Sequence, residues 1–447
     1  MSRLKWSYYN IISDIKNGML IFNSSTGSVV KITDTLYLQK IIEYINADYI
    51  DYSSKNDDAE GKFIRNLMDK RFLVDVETNE LDMLTYVYNN QIIRNSLLEL
   101  TLIVTRQCNY RCVYCYEDHL DLPMSDEVYN SLLSYIEKAY TQGHYSGVSV
   151  ALFGGEPLLE FDKCISFLKT AYELSKKYGK TFSAGATTNG SLLFPERFRQ
   201  LNELNCRHFQ ITLDGLQDTH DNYRISVDGN GWDVVVNNLK YMASTDFDFD
   251  VTIRTNFNDE ILNQADSFYS LIHDIVDERF NIYYEGIKHL GGDNDEQVSV
   301  MDNVAANISM IDIADLINKY KLKNNVCTER LLPFSHICQA TKYNSYIVDY
   351  DGTLLKCTLD FNNEANKIGY ISSDGDMYIN HEKHCKWLTV GYENNENCRR
   401  CRLLPLCYGR RCVSSILDSK TIECNPEVEE MFLIEQIKNN YCSKHER

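Results

Sequence analysis

The sequence predicts an α/β protein centred on a partial (β/α)6 TIM barrel, with a small strand-and-helix domain before it and a cysteine-rich domain after it. Three observations carry this expectation. Strand-like apolar runs alternate with helical patterns six times between residues 97 and 290, the signature of βαβ units and a parallel sheet. That alternation is absent from the first 95 residues and from the last hundred. Ten of the 15 cysteines fall into spaced clusters, one just after the first strand of the alternating region and the rest near the C-terminus.

The bulk properties set limits. A chain of 447 residues is too long for one ordinary core, so several domains are expected. A hydrophobic fraction of 44% is enough for globular folding. The formal charge of −19 argues against nucleic-acid binding, because phosphate contacts need a basic surface. The N-terminus, Met1 to Trp6, has no signal-peptide apolar core, and no run approaches the roughly 18 apolar residues of a membrane span. A cytoplasmic protein with reduced thiols and no membrane partner is therefore expected. A disulfide scaffold is normally a short secreted chain. Cys164, Cys206, Cys327, Cys385 and Cys442 stand outside the clusters.

Residues 1–95 form the first expected domain. Tyr8 to Ile12, Met19 to Phe22 and Ser28 to Ile32 read as strands, with a turn at Asn23 to Gly27. Thr35 to Ile45 and Ala59 to Lys70 carry helical spacing, and Phe72 to Val74 closes the module as a strand. Residues 96–290 form the barrel. Its strands are expected at Leu98–Val104, Val148–Phe153, Thr181–Thr187, His208–Leu213, Asp250–Arg254 and Phe280–Tyr284, with helices such as Val128–Tyr140, Ile165–Lys177 and Val234–Met242 between them. In such folds the loops after the strands carry the site. Residues 291–335 open on Gly291-Gly292-Asp293 and continue as an acidic helical bridge. Residues 336–447 form the cysteine-rich domain.

The loop after the first barrel strand reads Cys108-x3-Cys112-x2-Cys115. Three thiolates suit three irons of a cubic iron–sulfur cluster and leave the fourth iron open, and an open position on a metal is where chemistry happens. A zinc knuckle or scattered core cysteines are the alternatives. The next loops carry Gly154-Gly155-Glu156, Asn189-Gly190-Ser191, Asp214-Gly215 with His220, Asp221 and Arg224, and Arg254. Two glycines let backbone approach a ligand closely, and a glutamate accepts from an ammonium. Asp214 either binds a ribose or caps the following helix. Arg224 either pairs a carboxylate, makes an ordinary salt bridge or organises its loop. Tyr114, between two of the cysteines, is either a stacking platform or packing.

The cysteine spacing, the Gly-Gly-Glu stretch and the Leu213-Asp214-Gly215…His220-Asp221…Arg224 stretch resemble the radical S-adenosylmethionine (SAM) family. The resemblance implies a [4Fe–4S] cluster on Cys108, Cys112 and Cys115 whose open iron chelates SAM and cleaves it to methionine and a 5′-deoxyadenosyl radical. It implies SAM contacts from Tyr114, Gly154, Gly155, Glu156, Asn189, Ser191, Asp214, Arg224 and Arg254, and an electron donor such as flavodoxin or ferredoxin.

The C-terminal cysteines are Cys338, Cys357, Cys398-x2-Cys401-x5-Cys407-x4-Cys412 and Cys424, with a hairpin turn Tyr350-Asp351-Gly352-Thr353 between Cys338 and Cys357. This pattern resembles the SPASM domain, which holds two auxiliary clusters, so three clusters are expected in all. The resemblance assigns Cys338, Cys357 and Cys412 to cluster I, one thiolate short, with Cys385 as one means of completing it. It assigns Cys398, Cys401, Cys407 and Cys424 to cluster II. The last gap, Tyr408 to Arg411, is one residue longer than the family pattern. His381-Glu382-Lys383-His384-Cys385 reads as a solvated loop. The N-terminal module is similar to the winged-helix-like RiPP recognition elements, which bind the leader of a precursor peptide by adding it as a strand to a sheet edge. Together the resemblances imply a maturase of ribosomally made peptides, of the sactipeptide and ranthipeptide type, that forms cysteine thioethers. The alternatives are a carbon–carbon cross-link, epimerisation or formylglycine formation in a sulfatase. Sulfatase maturases place an aspartate just after the second SPASM cysteine, where this chain has Thr358, with Asp360 two further on as a candidate base.

Overall fold

A computed structural model describes residues 2–53, 58–93, 96–290, 297–324, 331–333, 337–361, 363–392, 395–409, 412–419 and 424–442. The loop 291–295 and Cys327 lie outside the described residues, as do Arg410 and Arg411 of the long cysteine gap. The chain divides into two compact units. The first comprises 1–92, 327–338 and 390–447, and the second 93–326 and 339–389. These units cut across the boundaries expected from the sequence, because residues 339–389 group with the barrel and residues 390–447 with the N-terminal module.

The first unit contains two three-stranded antiparallel sheets. In one, β1 (Ser2–Trp6) lies between β5 (Ile50–Tyr52) and β6 (Leu73–Asp75). In the other, β3 (Gly18–Asn23) lies between β2 (Asn10–Ile15) and β4 (Ser28–Ile32). The expected helices form at Thr35–Asn46 and Ala59–Asp69, and both start on an aspartate: Asp34 accepts from the Leu36 and Tyr37 amides, Asp58 from Gly61. The strands β1 and β5 were not anticipated; a three-residue strand such as Ile50–Tyr52 is too short to show a period. Strand β3 is buried on both faces, which is why Leu20, Ile21 and Phe22 are consecutive apolar residues. Ile21 packs with Leu4, Ile41, Tyr44, Leu67 and Phe72. Leu20 and Phe22 pack with Ile11, Leu331, Leu403, Leu433 and Ile437.

The second unit is built on one ten-stranded sheet. Six strands are parallel, in the order β14 (Phe280–Gly286), β13 (Asp250–Phe257), β11 (Cys206–Thr212), β10 (Thr181–Thr188), β9 (Gly147–Gly154) and β7 (Leu97–Thr105). These are the six strands expected, with their ends shifted by a few residues. Helices Asp126–Thr141, Phe161–Lys177, Pro195–Glu203, Gly231–Ala243 and Ala265–Ile275 alternate with them. The parallel order and the crossovers make this the open sheet of a partial (β/α)6 barrel.

The sheet continues beyond β7. Strand β15 (Ser345–Val348) pairs parallel to it, Ser345 opposite Glu99, and β16 (Thr353–Leu355), β17 (Lys367–Ile371) and β18 (Met377–Ile379) follow antiparallel. The expected hairpin is therefore the element that extends the barrel sheet. Its turn places Gly352 at φ +87°, and the Arg106 guanidinium grips it through Asp349 Oδ2 at 2.6 Å. Both partners are buried, and the Tyr350 and Phe361 rings lie 5.4 and 5.0 Å from the guanidinium.

The His381–Cys385 stretch is helical (His381–Thr389), not a solvated loop, because His384 and Trp387 bury one face. The His384 ring, 3% exposed, lies 5.4 Å from Tyr343 and 5.9 Å from Tyr346. Burial first, and then the Lys356 charge, push its pKa down to about 4. The folded pKa is the lower one, so between about 6.5 and about 4 the unfolded chain binds the extra proton. Stability present above pH 6.5 is lost as the pH falls through that window, by up to about 3 kcal/mol. Urea midpoints measured from pH 7 to 4.5 are expected to fall more steeply in the parent than in His384→Phe. Equal slopes contradict this. Among the described residues, no helix is long and apolar enough to cross a membrane.

Candidate functional site

The cysteine loop leaves the C-terminal end of β7 and is held from two sides. Strand β8 (Tyr110–Cys112) pairs antiparallel with β12 (Arg224–Ser226), Arg224 opposite Cys112. The Val113 amide donates to Tyr223 O at 2.9 Å, and Val227 donates to Asn109 O at 3.0 Å. On the other side the Gly154-Gly155-Glu156 turn docks on the same loop: Gly155 donates to Thr105 O at 2.9 Å and Glu156 to Gln107 O at 2.8 Å. A Cβ on Gly154, whose φ is +123°, would stand 2.2 Å from Thr105 O; one on Gly155 would stand 2.3 Å from Gln107 O. The glycines expected to admit a ligand are thus needed for the approach of two backbones.

Glu156 is fully buried, and both its oxygens are engaged. Oε1 accepts from the Leu158 amide at 2.9 Å and Thr188 Oγ1 at 2.8 Å; Oε2 accepts from the Asn189 amide at 2.8 Å. Burial raises its pKa against the pull of these donors. Asn189 carries the network onward. Its Nδ2 donates to Asn109 Oδ1 at 2.8 Å and to Cys108 Sγ at 3.9 Å, while its Oδ1 accepts from the Ser191 hydroxyl at 2.7 Å. Asn109 Nδ2 closes the ring by donating to Ser191 Oγ at 3.0 Å.

A second network joins the remaining residues. The Tyr114 hydroxyl donates to Asp214 Oδ2 and accepts from Arg224 Nη1 at 2.8 Å and Asn256 Nδ2 at 3.2 Å. Asp214 Oδ1 accepts from the Asn256 amide at 2.6 Å, and the Asp214 amide donates to His220 Nδ1 at 3.2 Å. Asp214 is fully buried, and burial raises its pKa although Arg224, Tyr114 and Asn256 oppose that. For Arg224, burial disfavours the charge, but Cys112, Tyr114 and Asp214 outweigh it and keep it cationic. His220 is held neutral by burial and by Arg224. Arg254 joins through Asn256 Oδ1 at 2.9 Å, and its guanidinium lies 5.3 Å from the Tyr283 ring centroid.

Asn109, Arg106, Thr188 and Asn256 were not among the residues expected from the sequence. Asn256 had a usable signal, because it shares a strand face with Arg254 at period two. Glu117, two residues past Cys115, was also missed. Its Oε2 is buried without a partner, and burial, then Asp118, push its pKa up to about 8.

The sulfurs divide into two chemical kinds. Cys108 Sγ accepts from the Tyr110 amide, Cys357 from Leu359, Cys401 from Leu403 and Cys407 from Gly409, each from residue i+2 at 3.4 Å. Cys164 instead donates to Pro157 O at 3.6 Å, and Cys206 and Cys442 are buried. An amide donated to sulfur stabilises thiolate, the form that binds iron. Burial pushes Cys108 and Cys115 up to about 12 as free thiols, so a cation is what would hold them ionised. Cys407, also pushed up to about 12 by burial, lies within electrostatic reach of Cys401, Cys424 and Cys398. The fourteen cysteines among the described residues are free thiols. Among those residues, no group of three or more His, Cys, Asp or Glu side chains converges as a single-ion site. Three free thiols on one loop, Cys108, Cys112 and Cys115, are the donor type that an iron–sulfur cluster takes.

Of the cysteines assigned to cluster I, Cys338 and Cys412 belong to the first unit and Cys357 to the second, and Cys338, Cys412 and Cys385 are exposed. Asp360 Oδ2 accepts from Asn363 Nδ2 at 2.8 Å within its own turn, and the Asp360 carbonyl accepts from Asn366 Nδ2 at 2.8 Å.

Residues 102–264, which contain both networks, match the radical SAM superfamily. This segment is a radical SAM domain. The domain implies a [4Fe–4S] cluster and SAM. Along 92% of its length the chain is 21% identical to the radical SAM cyclopropyl synthase TigE of Paramaledivibacter caminithermalis, covering 89% of that protein. A GTP 3′,8-cyclase of Staphylococcus saprophyticus is 33% identical over 27% of this chain and 35% of its own. In fold, the chain is similar to SuiB of Streptococcus suis bound to the precursor peptide SuiA, with a TM-score of 0.54, 15% identity, and coverage of 95% of this chain and 98% of SuiB. It is also similar to anSMEcpe bound to AdoMet and the Cp18Cys peptide, with a TM-score of 0.58, 19% identity, and coverage of 77% and 97%.

Proposed function

We propose that the chain is a radical SAM maturase that closes a cross-link within a ribosomally made precursor peptide. The observation that carries this reading is the two-sided clamp on the Cys108–Cys115 loop, joined to a chain-length fold likeness with a peptide-bound enzyme. With a cluster on Cys108, Cys112 and Cys115, the bound SAM supplies a 5′-deoxyadenosyl radical. The protein's own part is positional. Tyr114, Asn189, Ser191, Asp214, Arg224 and Arg254 present their polar groups around the cysteine loop and hold SAM there, and burial of the networks keeps water from the reacting centre. Gly154, Gly155 and Glu156 lock that loop to β9.

The N-terminal unit takes the leader of the peptide as an added strand, in the manner of a winged-helix-like recognition element; β4 is an outer strand of its sheet and offers one edge. Cys338, Cys357 and Cys412 hold auxiliary cluster I of a SPASM domain and Cys398, Cys401, Cys407 and Cys424 hold cluster II. A flavodoxin or ferredoxin delivers the electron. Asp360 keeps the role of a base candidate only if the peptide reorders its turn.

The bond formed is a thioether between a cysteine sulfur and a carbon of another residue: the C–H hydrogen atom leaves to 5′-deoxyadenosine, the S–H proton leaves to solvent, and the remaining electron would pass to an auxiliary iron–sulfur cluster. The likeness to TigE along 92% of the chain favours a second reading, carbon–carbon closure. Either product has lost two hydrogens. Mass spectrometry of a short cysteine-containing peptide encoded beside the gene, after reaction with SAM and reductant, tests both. Loss of two hydrogens with a cysteine that no longer alkylates is the expected result. The same mass loss with every cysteine still alkylating selects carbon–carbon closure, and an unchanged peptide overturns the maturase reading.

A further inference from the structure

We infer that the Cys398, Cys401, Cys407 and Cys424 quartet is the folding staple of the N-terminal sheet, so that its metal occupancy decides whether the peptide-binding domain is formed. The inference rests on the cluster II assignment above and goes beyond it.

Among the described residues the cysteine segment is held by short elements, the helices Glu396–Arg399, Leu404–Cys407 and Val413–Ser419. Yet it supplies one wall of the N-terminal core. Leu403 packs with Ile11, Ile15, Leu20 and Phe22, and Cys401 and Leu406 pack at the edge of the same cluster. Leu20 and Phe22 are 1% exposed, and this face of β2–β4 is covered by residues from beyond position 330. A three-stranded sheet needs its apolar faces covered to be stable.

The backbone makes the same junction. The Tyr8 hydroxyl donates to Arg400 O and Ser24 Oγ to Arg402 O, the carbonyls on either side of Cys401. Past Cys407 the chain turns through two successive left-handed residues, Tyr408 at φ +53° and Gly409 at φ +62°. That turn stacks Tyr408 on Tyr88, ring centroids 4.0 Å apart, and packs Gly409 so close that a Cβ would lie 3.2 Å from Cys398 Sγ. The residues that place the sulfurs are therefore the residues that hold the sheet. Whatever fixes the quartet stabilises the sheet by linkage, as metal binding stabilises other small domains whose ligands are disordered without it. These contacts join residues of the first unit, so loss of the quartet's metal is expected to disable peptide capture while the radical SAM domain stays folded.

Hydrogen exchange on the full-length, anaerobically reconstituted protein tests this, with iron analysis of the same samples. Cys401→Ser is expected to lose about four irons, and its segment 10–32 to exchange at least about tenfold faster than the parent's, with segment 147–154 unchanged. Leu403→Ala is expected to keep its iron and still accelerate exchange in 10–32, which separates the packing from the ligand change should the serine variant misfold. Iron lost from Cys401→Ser with exchange in 10–32 unchanged overturns the inference and leaves the cluster assignment standing. Iron retained in Cys401→Ser overturns the assignment and the inference with it.

Discussion

Arg224→Ala is expected to destabilise the second unit by about 1–3 kcal/mol, the cost of leaving buried polar groups without their donor. Arg224 is 6% exposed, donates to the Tyr114 hydroxyl at 2.8 Å and faces the fully buried Asp214. Its removal takes a positive charge from the neighbourhood of that carboxyl, which keeps the Tyr114 hydroxyl and the Asn256 amide as its donors. The backbone pairing of β12 with β8, Arg224 opposite Cys112, is left in place by the substitution, so the loss falls on the side-chain network beside the cysteine loop. Arg224→Lys keeps the charge but not the planar fork and is expected to recover part of the loss. Urea unfolding of the metal-free protein, followed by a probe in the second unit, checks this; no measurable loss contradicts a stabilising hydrogen bond from the buried guanidinium to Tyr114.

Gly154→Ala is expected to cost about 3 kcal/mol or more, from a disfavoured backbone conformation combined with a backbone collision. At φ +123° an alanine is strained, and its Cβ would meet Thr105 O at 2.2 Å. Relief requires β9 and the cysteine loop to separate, so SAM cleavage is expected to fall with stability. Gly143→Ala is the control. Its φ is +72° with nothing within 4 Å of the added Cβ, so about 1 kcal/mol is expected and no effect on the site. If the two variants have equal stability and equal SAM cleavage, the close approach of the two loops is unimportant.

The six barrel strands were legible because each is an apolar run of strand length followed by a loop rich in Gly, Asn or Asp, and those loops carried the site. What was not legible depends on partners far away in sequence. All four residues of Ser345–Val348 are buried, which marks a strand, but nothing in them says that the neighbour is β7, in which Leu100 faces Tyr346 from far upstream. The consecutive Leu20, Ile21 and Phe22 mark a strand buried twice, but not that the second face is covered by Leu403 and Ile437. The site residues were found by type and spacing, and their partners were less accessible. Glu156 read as an ammonium acceptor from its type and spacing, but the donors its oxygens take within the chain, Leu158, Thr188 and Asn189, need the fold before they exist. The Arg224 alternatives were undecidable from spacing alone, because its pairing opposite Cys112 is a register, not a motif.

Whether the Cys108–Cys115 loop seats a catalytic iron–sulfur cluster is measured most directly as 5′-deoxyadenosine released from SAM by the anaerobically reconstituted, reduced protein. Steady release is predicted for the parent and none for Cys108→Ala, Cys112→Ala or Cys115→Ala, each with about four irons fewer per chain. Release from those variants at the parent's rate, or none from a parent with its full iron content, would contradict a catalytic cluster in that loop.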